Sequence, residues 1–288
     1  MENTDELQIH EKKPAKMKRG ELIAVCSAKG GIGRTVLTVN LAGALVKKNI
    51  SVAILDGDFQ FGDIGLAMDL KSAFTIQEVI EGMSTLDEYS IEGYMSKHES
   101  GVKVMAAPDR PEFADLVTKE AVDRILDLML LNYDYVIVDT SVGLNDHTVH
   151  IAEKADQIMV MANLEMTALK NTKLMLETFD ILELKNKVTL VINRADMESV
   201  IQAADAARIL GYEDPVYIPN DFQTCSQSLN IGIPFVINQG KTDVAKAIFK
   251  MAERISTRRE ITLFKESKSP SFLSKLIGRK RMKGGTAQ

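Results

Sequence analysis

The residues best suited to chemistry form a glycine-rich loop near the start of the chain, Lys29-Gly30-Gly31-Ile32-Gly33-Arg34-Thr35. Glycines let backbone N–H groups converge on phosphate oxygens, and the N-terminus of a following helix adds the positive end of its dipole. A basic side chain after the last glycine reaches the outer phosphates, and a threonine hydroxyl can hold Mg²⁺. The predicted phosphate-binding residues are Gly30, Gly31, Ile32, Gly33, Arg34, Thr35 and Val36.

This loop must be positioned by a strand before it and a helix after it, and such elements alternate along the chain. Short apolar runs predict the strands Leu22–Ser27, Val52–Asp56, Val102–Ala107, Tyr135–Asp139, Gln157–Met161, Val188–Asn193 and Val216–Pro219. Apolar residues spaced by three and four predict the helices Val36–Lys48, Lys119–Leu131, Leu169–Leu184 and Val200–Leu210. Buried strands separated by helices indicate an α/β fold: a single doubly wound, mostly parallel sheet with helices on both faces. Such sheets bind ligands beyond the carboxyl ends of their strands.

Composition excludes several classes of protein. The 288 residues are 45% hydrophobic and 26% charged, which is ordinary for a globular domain. Two cysteines, Cys26 and Cys225, give no disulfide framework, and their apolar neighbours predict that both are inert in a reducing compartment. No run approaches the roughly 18 apolar residues of a membrane span. Residues 1–20 are charged and lack an apolar core, so we expect a disordered arm, no signal peptide and a cytoplasmic protein.

Charge is unevenly distributed along the chain. The net charge is −5, yet residues 265–288 hold seven Lys or Arg and one Glu. The rest of the chain is therefore acidic, which argues against a body coated by nucleic acid. We divide the chain into an arm (1–20), a nucleotide-binding domain (21–264) and a specialised basic tail (265–288).

The loop departs twice from the strict phosphate-binding pattern G-x-x-x-x-G-K-[ST]. Ala28 stands where the first glycine belongs, and Arg34 replaces the lysine. Taken alone, the loop also fits a plain glycine turn, so residues further along the chain must decide. Two acids follow or close predicted strands: Asp58, which also fits a turn acid, and Asp139, which needs a partner because it ends a buried apolar strand.

Together these residues resemble the MinD/ParA superfamily of P-loop ATPases. The loop resembles the deviant Walker A motif of that family. Asp56-Gly57-Asp58 resembles its switch I, and the strand ending at Asp139 resembles its Walker B motif. Asn193-Arg194 matches the place where a family Asn reads adenine, and Pro219-Asn220-Asp221, followed by Asn230-x-Gly232-x-Pro234, matches its last base-contacting segment. The landmarks span residues 21–260 in family order.

The resemblance implies ATP and Mg²⁺ as cofactors and gives a role to each matching residue. Lys29 would reach across an ATP-dependent homodimer to the partner's nucleotide, and Asp58 would orient the attacking water. Thr35 would bind Mg²⁺ directly and Asp139 through water, with Asp58 as the third member of the metal set. The implied catalytic residues are Lys29, Asp58 and Arg34. The implied base contacts are Asn193, Arg194, Pro219, Asn220 and Asp221.

Two segments resemble one branch of that superfamily more closely. Asp58–Asp63 and Ala106–Glu112 are similar to segments of the CpaE/TadZ branch, whose members position pilus-assembly machinery at the cell pole or membrane. The resemblance implies a protein partner in a pilus, secretion or other polar machine. Ala168–Lys173 lacks the acids of the cell-division members, which weakens any transfer of their activator-binding surface.

Arg34 is the main departure from the family. Arginine keeps the positive charge and forks onto phosphate oxygens, but it is longer and flatter than a lysine ammonium. We hypothesise that the chain binds ATP and is a weak ATPase. Walker B departs as well, because Ser141 stands where the family has proline.

The basic tail has four apolar residues on one face at helical spacing: Phe272, Leu273, Leu276 and Ile277. Flanking Lys and Arg side chains suit an anionic membrane surface, and the segment resembles the C-terminal membrane-targeting helix of MinD. This predicts a peripheral protein at the inner face of the cell membrane. The alternative is a solvated basic tail, or a helix docked on the body.

Other functions stay open at this point. A ParA-type DNA-segregation ATPase is one, although the acidic body argues against DNA as a partner. A pseudo-ATPase scaffold that binds ATP without turnover is another. A nitrogenase-reductase-like protein needs cluster-ligating cysteines, and Cys26 lies inside a predicted strand. The four histidines show no metal-binding spacing with the cysteines.

Overall fold

The computed structural model describes residues 19–46 and 50–268, with the backbone alone over 260–268. The described residues form one sheet in the order β3-β4-β2-β5-β1-β6-β7-β8. Its strands are β1 Glu21–Ser27, β2 Val52–Gly57, β3 Ser96–Lys97, β4 Lys103–Met105, β5 Tyr135–Thr140, β6 Gln157–Ala162, β7 Val188–Asn193 and β8 Val216–Ile218. All pairs are parallel except the edge pair β3–β4. The predicted doubly wound, mostly parallel sheet is confirmed.

Helices cover both faces of this sheet. They are α1 Arg34–Leu45, α2 Ile64–Ala67, α3 Ile76–Glu81, α4 Lys119–Asn132, α5 Asp146–Lys154, α6 Met166–Ile181, α7 Ala203–Leu210, α8 Phe222–Ile231, α9 Phe235–Asn238 and α10 Asp243–Lys268. Short 3₁₀ segments lie at Met83–Thr85, Ser90–Tyr94, Pro111–Leu116 and Lys185–Lys187. Over the described residues, no helix combines the length and apolar character that crossing a bilayer requires.

The core lies on the two faces of the sheet because side chains alternate along each strand. In β1, Leu22, Ala24 and Cys26 join a cluster with α4 and α5. Ile23 and Val25 enter the opposite cluster, with α1 and α10. Burial on both faces explains why the central strands are continuous apolar runs without polar alternation.

Sheet register brings the chemically interesting residues together at one edge. Asp56 of β2 lies opposite Asp139 of β5, and Val25 of β1 lies opposite the same Asp139. The carboxyl ends of β1, β2 and β5 are therefore adjacent, and the glycine-rich loop leaves β1 at this point.

The predicted elements differ from the structure mainly at their ends. Helix α7 begins at Ala203, whereas the periodicity predicted Val200. Val200 is fully exposed and makes no core contact that would extend the helix. Residues 1–18 of the predicted arm and residues 269–288 of the predicted tail lie outside the described residues.

Candidate nucleotide site

The glycine-rich loop bridges the buried strand β1 and the first turn of α1. Gly31 and Gly33 both adopt left-handed backbone angles, with φ of 73° and 95°. Gly33 is also the N-cap of α1, and a Cβ atom there would lie 2.6 Å from Nδ2 of Asn193. The left-handed backbone therefore favours glycine at position 33, and a side chain there would also displace the Asn193 amide.

The start of α1 is suited to an anion. No side chain caps this helix, and no acidic residue occurs in its first turn. The first backbone N–H groups of a helix have no partner within the helix, and the helix dipole adds positive potential there. Phosphate oxygens are the usual ligands of such a terminus when a glycine-rich loop precedes it.

A cavity of about 510 Å³ lies beside the loop. It falls within the roughly 300–1,000 Å³ typical of small-molecule sites. The loop side is formed by Ser27, Lys29, Gly30, Gly31, Ile32, Gly33, Arg34, Thr35 and Val36. The remaining walls are formed by Asp63, Leu66, Ala67, Val142, Arg194, Phe222, Cys225, Ser226, Leu229 and Asn230.

The predicted phosphate residues therefore line one cavity together. Sequence reasoning missed much of the opposite wall, which comes from α2 and α8. The family segment running from Pro219 to Pro234 did indicate this region, and Asn230 in that segment lines the cavity. Phe222, 70% exposed, gives a large apolar surface on which a base can stack.

Arg34 joins the two acids at the ends of β2 and β5. Its Nε donates to Oδ1 of Asp139 at 3.1 Å, and its Nη2 lies 3.3 Å from Oδ2 of Asp58. Its Nη1 donates to the Ser27 hydroxyl at 3.2 Å. The Arg34 side chain is 10% exposed, so these contacts lie largely away from water.

Asp139 is the most enclosed of these acids. Besides Arg34, it accepts hydrogen bonds from the hydroxyls of Thr35 at 2.7 Å and Thr38 at 3.3 Å. Burial raises the pKa of Asp139, while the Arg34 charge and the hydrogen bonds from Thr35, Arg34 and Thr38 oppose that rise. A buried carboxylate needs such a set of partners to remain charged.

The neighbouring Asp56 accepts hydrogen bonds from backbone N–H groups. Its Oδ2 accepts from the N–H of Ile64 at 3.0 Å and its Oδ1 from the N–H of Asp58 at 3.3 Å, which fixes the turn after β2. Its pKa is raised well above the usual value, first by burial and then by the charge of Asp139. Asp56 therefore positions Asp58, and it is Asp58 that contacts Arg34.

The predicted metal ligands fit Mg²⁺ by type, and in this structure they bond to other side chains. A threonine hydroxyl and two carboxylates are the oxygen ligands that Mg²⁺ prefers. In the structure, however, the Thr35 hydroxyl donates to Asp139, and the Arg34 guanidinium lies against both Asp139 and Asp58. No group of three or more His, Cys, Asp or Glu side chains with metal-binding spacing occurs within the described part of the chain.

Lys29 is held within its own chain. Its Nζ lies 2.5 Å from Oε2 of Glu165, the residue that precedes α6, and donates to the Thr167 hydroxyl at 3.0 Å. The hydrogen bond from Lys29 and a second one from Asn163 lower the pKa of Glu165. Sequence reasoning did not identify Glu165, although it follows β6, the strand next to β1.

The predicted base contacts occupy different places. Asn193 donates to the carbonyl of Ile32 at 2.8 Å and accepts from the N–H of Arg194 at 2.9 Å, so its amide braces the loop. Arg194 lines the cavity, with a left-handed φ of 54°. An adenine contact by Asn193 stays a prediction.

The segment after β8 lies just outside the cavity wall. The N–H of Asn220 donates to Asp196 at 2.6 Å, and Asp221 caps α8 by accepting from the N–H of Thr224 at 3.0 Å. Pro219, Asn220 and Asp221 themselves do not line the cavity. They directly precede α8, which lines the cavity, and so help to position that helix.

The two cysteines have different surroundings. Cys26 is fully buried in β1, and burial raises the pKa of its thiol to about 12. Cys225 lies on α8 in the cavity wall, where burial raises the pKa of its thiol to about 11. Both thiols are therefore protonated at neutral pH, in line with the predicted inert role.

Comparison with known proteins agrees with this geometry. Residues 20–192 match the family described as "AAA domain". The chain is 27% identical over 264 residues to a putative septum site-determining protein MinD of Mesostigma viride, covering 88% of this chain and 90% of that protein. It is 25% identical to the MinD of Thermotoga maritima, over 82% of this chain and 88% of the relative.

Solved structures share the fold. A ParA family ATPase from Chlorobium tepidum TLS superposes with a TM-score of 0.76 at 22% identity, covering 82% of this chain and 98% of that one. The septum site-determining protein MinD of Pyrococcus horikoshii, complexed with Mg-ADP, gives a TM-score of 0.72 at 20% identity, over 84% and 98% of the two chains. The chain matches the family described as AAA domain and belongs to the MinD/ParA superfamily of P-loop ATPases.

Proposed function

We propose that this chain is an ATP-binding positioning switch of MinD/CpaE type that hydrolyses ATP slowly. The observation that carries the proposal is the Arg34 guanidinium, which bonds to Asp58 and Asp139 at the end of the phosphate loop. The loop and its cavity supply binding. Because Arg34 bonds to Asp58 and Asp139, these two carboxylates are less available for hydrolysis.

Nucleotide binding is supported by the site and by similar proteins. The 510 Å³ cavity places a glycine-rich loop and an uncapped helix N-terminus at one end and Phe222 near the other wall. Among proteins of this fold, Pyrococcus MinD is complexed with Mg-ADP and a Cyanothece McdA variant with ATP. We infer that ATP is the ligand here and that its phosphates lie along Gly30–Val36.

Slow hydrolysis follows from the chemistry of phosphoryl transfer. The reaction needs the γ-phosphate, a metal and an in-line water held in fixed positions. Asp58, the candidate for orienting that water, is tied to Arg34, and so is Asp139. A guanidinium in this place can bind phosphate oxygens without giving the γ-phosphate the geometry that a lysine ammonium gives.

Turnover of an arginine-to-lysine variant tests this proposal. Arg34→Lys is expected to raise ATP turnover about tenfold or more, which corresponds to at least about 1.4 kcal/mol in the activation free energy. Arg208→Lys, an exposed residue of α7, is the matched control and should leave turnover unchanged. Equal turnover of the wild type and Arg34→Lys would remove the assigned role of Arg34.

Dimerisation is the second part of the proposal. Lys29 is partly exposed at the mouth of the cavity, where a partner's nucleotide could receive it. A similar MinD, from Aquifex aeolicus, has been solved in a complex with MinC, so a protein partner is consistent with this fold. We propose an ATP-dependent homodimer that binds one protein of a pilus, secretion or other polar machine.

Membrane binding is the third part, and it rests on the sequence of the tail. Phe272, Leu273, Leu276 and Ile277 are proposed to enter the acyl boundary at the inner face of the cell membrane. Sedimentation with vesicles of phosphatidylglycerol and phosphatidylcholine tests this, comparing the full chain with one lacking residues 271–288. Binding that is unchanged by the deletion would contradict the role of the tail.

A pseudo-ATPase scaffold is the second candidate, and the Arg34 contacts favour it. It differs from a slow ATPase only in having no turnover, so co-purified ATP with no phosphate release would identify it. A DNA-binding ParA-type role is tested by a gel shift at low and high salt, and salt-dependent DNA binding would favour that role.

A further inference from the structure

The Arg34 side chain occupies the corner between β2 and β5 where the fold brings two carboxylates together. Arg34 lines the cavity, whereas Asp58 and Asp139, which it contacts, do not. The Asp139 side chain is 2% exposed and that of Asp58 is 20% exposed. Of these three side chains, a ligand in the cavity therefore meets that of Arg34.

Arg34 partly compensates the negative charge of this corner. Arg34 supplies one positive charge to two carboxylates, and the Thr35 and Thr38 hydroxyls complete the shell of Asp139. A buried carboxylate that loses its cation is left uncompensated, which is costly in a medium of low polarity. A divalent ion entering the same corner would face the positive guanidinium as well as the two acids.

Arginine is suited to this place in a way that lysine is not. The planar guanidinium has five N–H donors in a fixed fork, whereas an ammonium is a compact point charge. Three of these donors contact Asp139, Ser27 and Asp58. Two donors remain, and they can meet phosphate oxygens while the contacts with the acids persist.

We propose that Arg34 is a built-in cation that takes the place of a bound metal between Asp58 and Asp139, so that the chain binds a nucleoside triphosphate with little dependence on Mg²⁺. This inference rests on the proposed nucleotide-binding function. It predicts that the affinity for the nucleotide depends little on Mg²⁺, whereas a site that requires a metal ion would lose affinity without it.

The test is equilibrium binding of a fluorescent ATP analogue to the full-length chain, with Mg²⁺ and with EDTA. The wild-type Kd is expected to change by less than about threefold between the two conditions, whereas that of Arg34→Lys should weaken about tenfold or more in EDTA. A wild-type Kd that weakens tenfold in EDTA would overturn this inference and leave nucleotide binding intact. Absence of binding in both conditions would overturn the proposed function together with it.

A second measurement needs no nucleotide. In thermal unfolding, Mg²⁺ should leave the wild-type Tm unchanged, while Arg34→Met should have a lower Tm that Mg²⁺ partly restores. Arg254→Met removes an exposed ion pair with Asp214 and should show no response to Mg²⁺. An equal rise of Tm in the wild type and in Arg34→Met would overturn the inference. If Arg34→Met does not fold, the comparison with Arg34→Lys in the binding experiment decides.

Discussion

Lys29 and Glu165 form an ion pair of 2.5 Å that ties the phosphate loop to the residue preceding α6. The side chains are 38% and 48% exposed. An ion pair this open contributes little to stability, in the range of about 0.2–1 kcal/mol. The contact therefore holds Lys29 within its own chain only weakly, and the proposed contact with a partner's nucleotide could replace it.

Releasing Lys29 should favour the dimer. Glu165→Gln removes the charge that holds Lys29. We therefore expect the proposed ATP-dependent dimer to form at up to about fivefold lower protein concentration for each Lys29–Glu165 pair that is released. Sedimentation velocity with ATP measures this. Glu177→Gln, which changes an exposed acid within α6, is the matched control. Equal dimerisation of the two variants would show that Glu165 does not restrain Lys29.

Cys225 offers a direct report on occupancy of the cavity. Its thiol lies in the cavity wall, and Cys26 is fully buried, so an alkylating reagent should label Cys225 first. The raised pKa, about 11, predicts slow labelling at pH 7.5, because the thiolate is the reactive form. Bound ATP should slow the labelling further, by about tenfold at near-saturating ATP, because only the free chain exposes the thiol.

Mass spectrometry of the intact protein follows that labelling, and Cys225→Ser shows how much of it belongs to this residue. A labelling rate independent of ATP at saturating concentration would place the nucleotide away from α8.

Stability should depend on pH through His147. Its ring lies edge-on to Phe59, with centroids 5.1 Å apart, and connects α5 to the turn after β2. Burial is the main cause that lowers the pKa of His147, the charges of Lys119 and His150 also lower it, and Asp146 opposes them. The unfolded chain therefore binds the proton more tightly than the folded chain, and stability is lost as the pH falls through about 6.5.

Denaturant unfolding at pH 7.5 and pH 5.5 measures that loss. His147→Gln should lose less stability than the wild type over this interval, because the other titrating groups remain in both proteins. Equal losses in the two proteins would exclude His147 as a contributor.

Much of the fold follows from the sequence because buried parallel strands are continuous apolar runs. The edge strand β3 was missed since Ser96 and Lys97 are polar, and only pairing with β4 makes them a strand. Helix α10 was not singled out, although Val244, Ile248 and Met251 repeat at helical spacing and are buried.

The candidate site was predictable in part. The loop glycines and the acid that ends β5 are local patterns, so they could be read directly. The partners of Arg34 could not, because a guanidinium can bind phosphates or carboxylates, and the choice depends on how the ends of β1, β2 and β5 meet in space. The bond from Asn193 to the Ile32 carbonyl could not be read from its motif either, because the motif indicates only a base contact.

The glycine-rich loop is proposed to bind ATP, and Arg34 to restrain its hydrolysis. Incubating the purified full-length chain with ATP labelled on the γ-phosphate measures bound nucleotide and released phosphate in one sample. We predict one ATP per chain and release on the order of 10⁻³ s⁻¹ or slower, as in a P-loop NTPase without a catalytic arginine. A chain that retains no ATP would contradict ATP binding by the loop, and phosphate release faster than about 10⁻² s⁻¹ would contradict the restraint by Arg34.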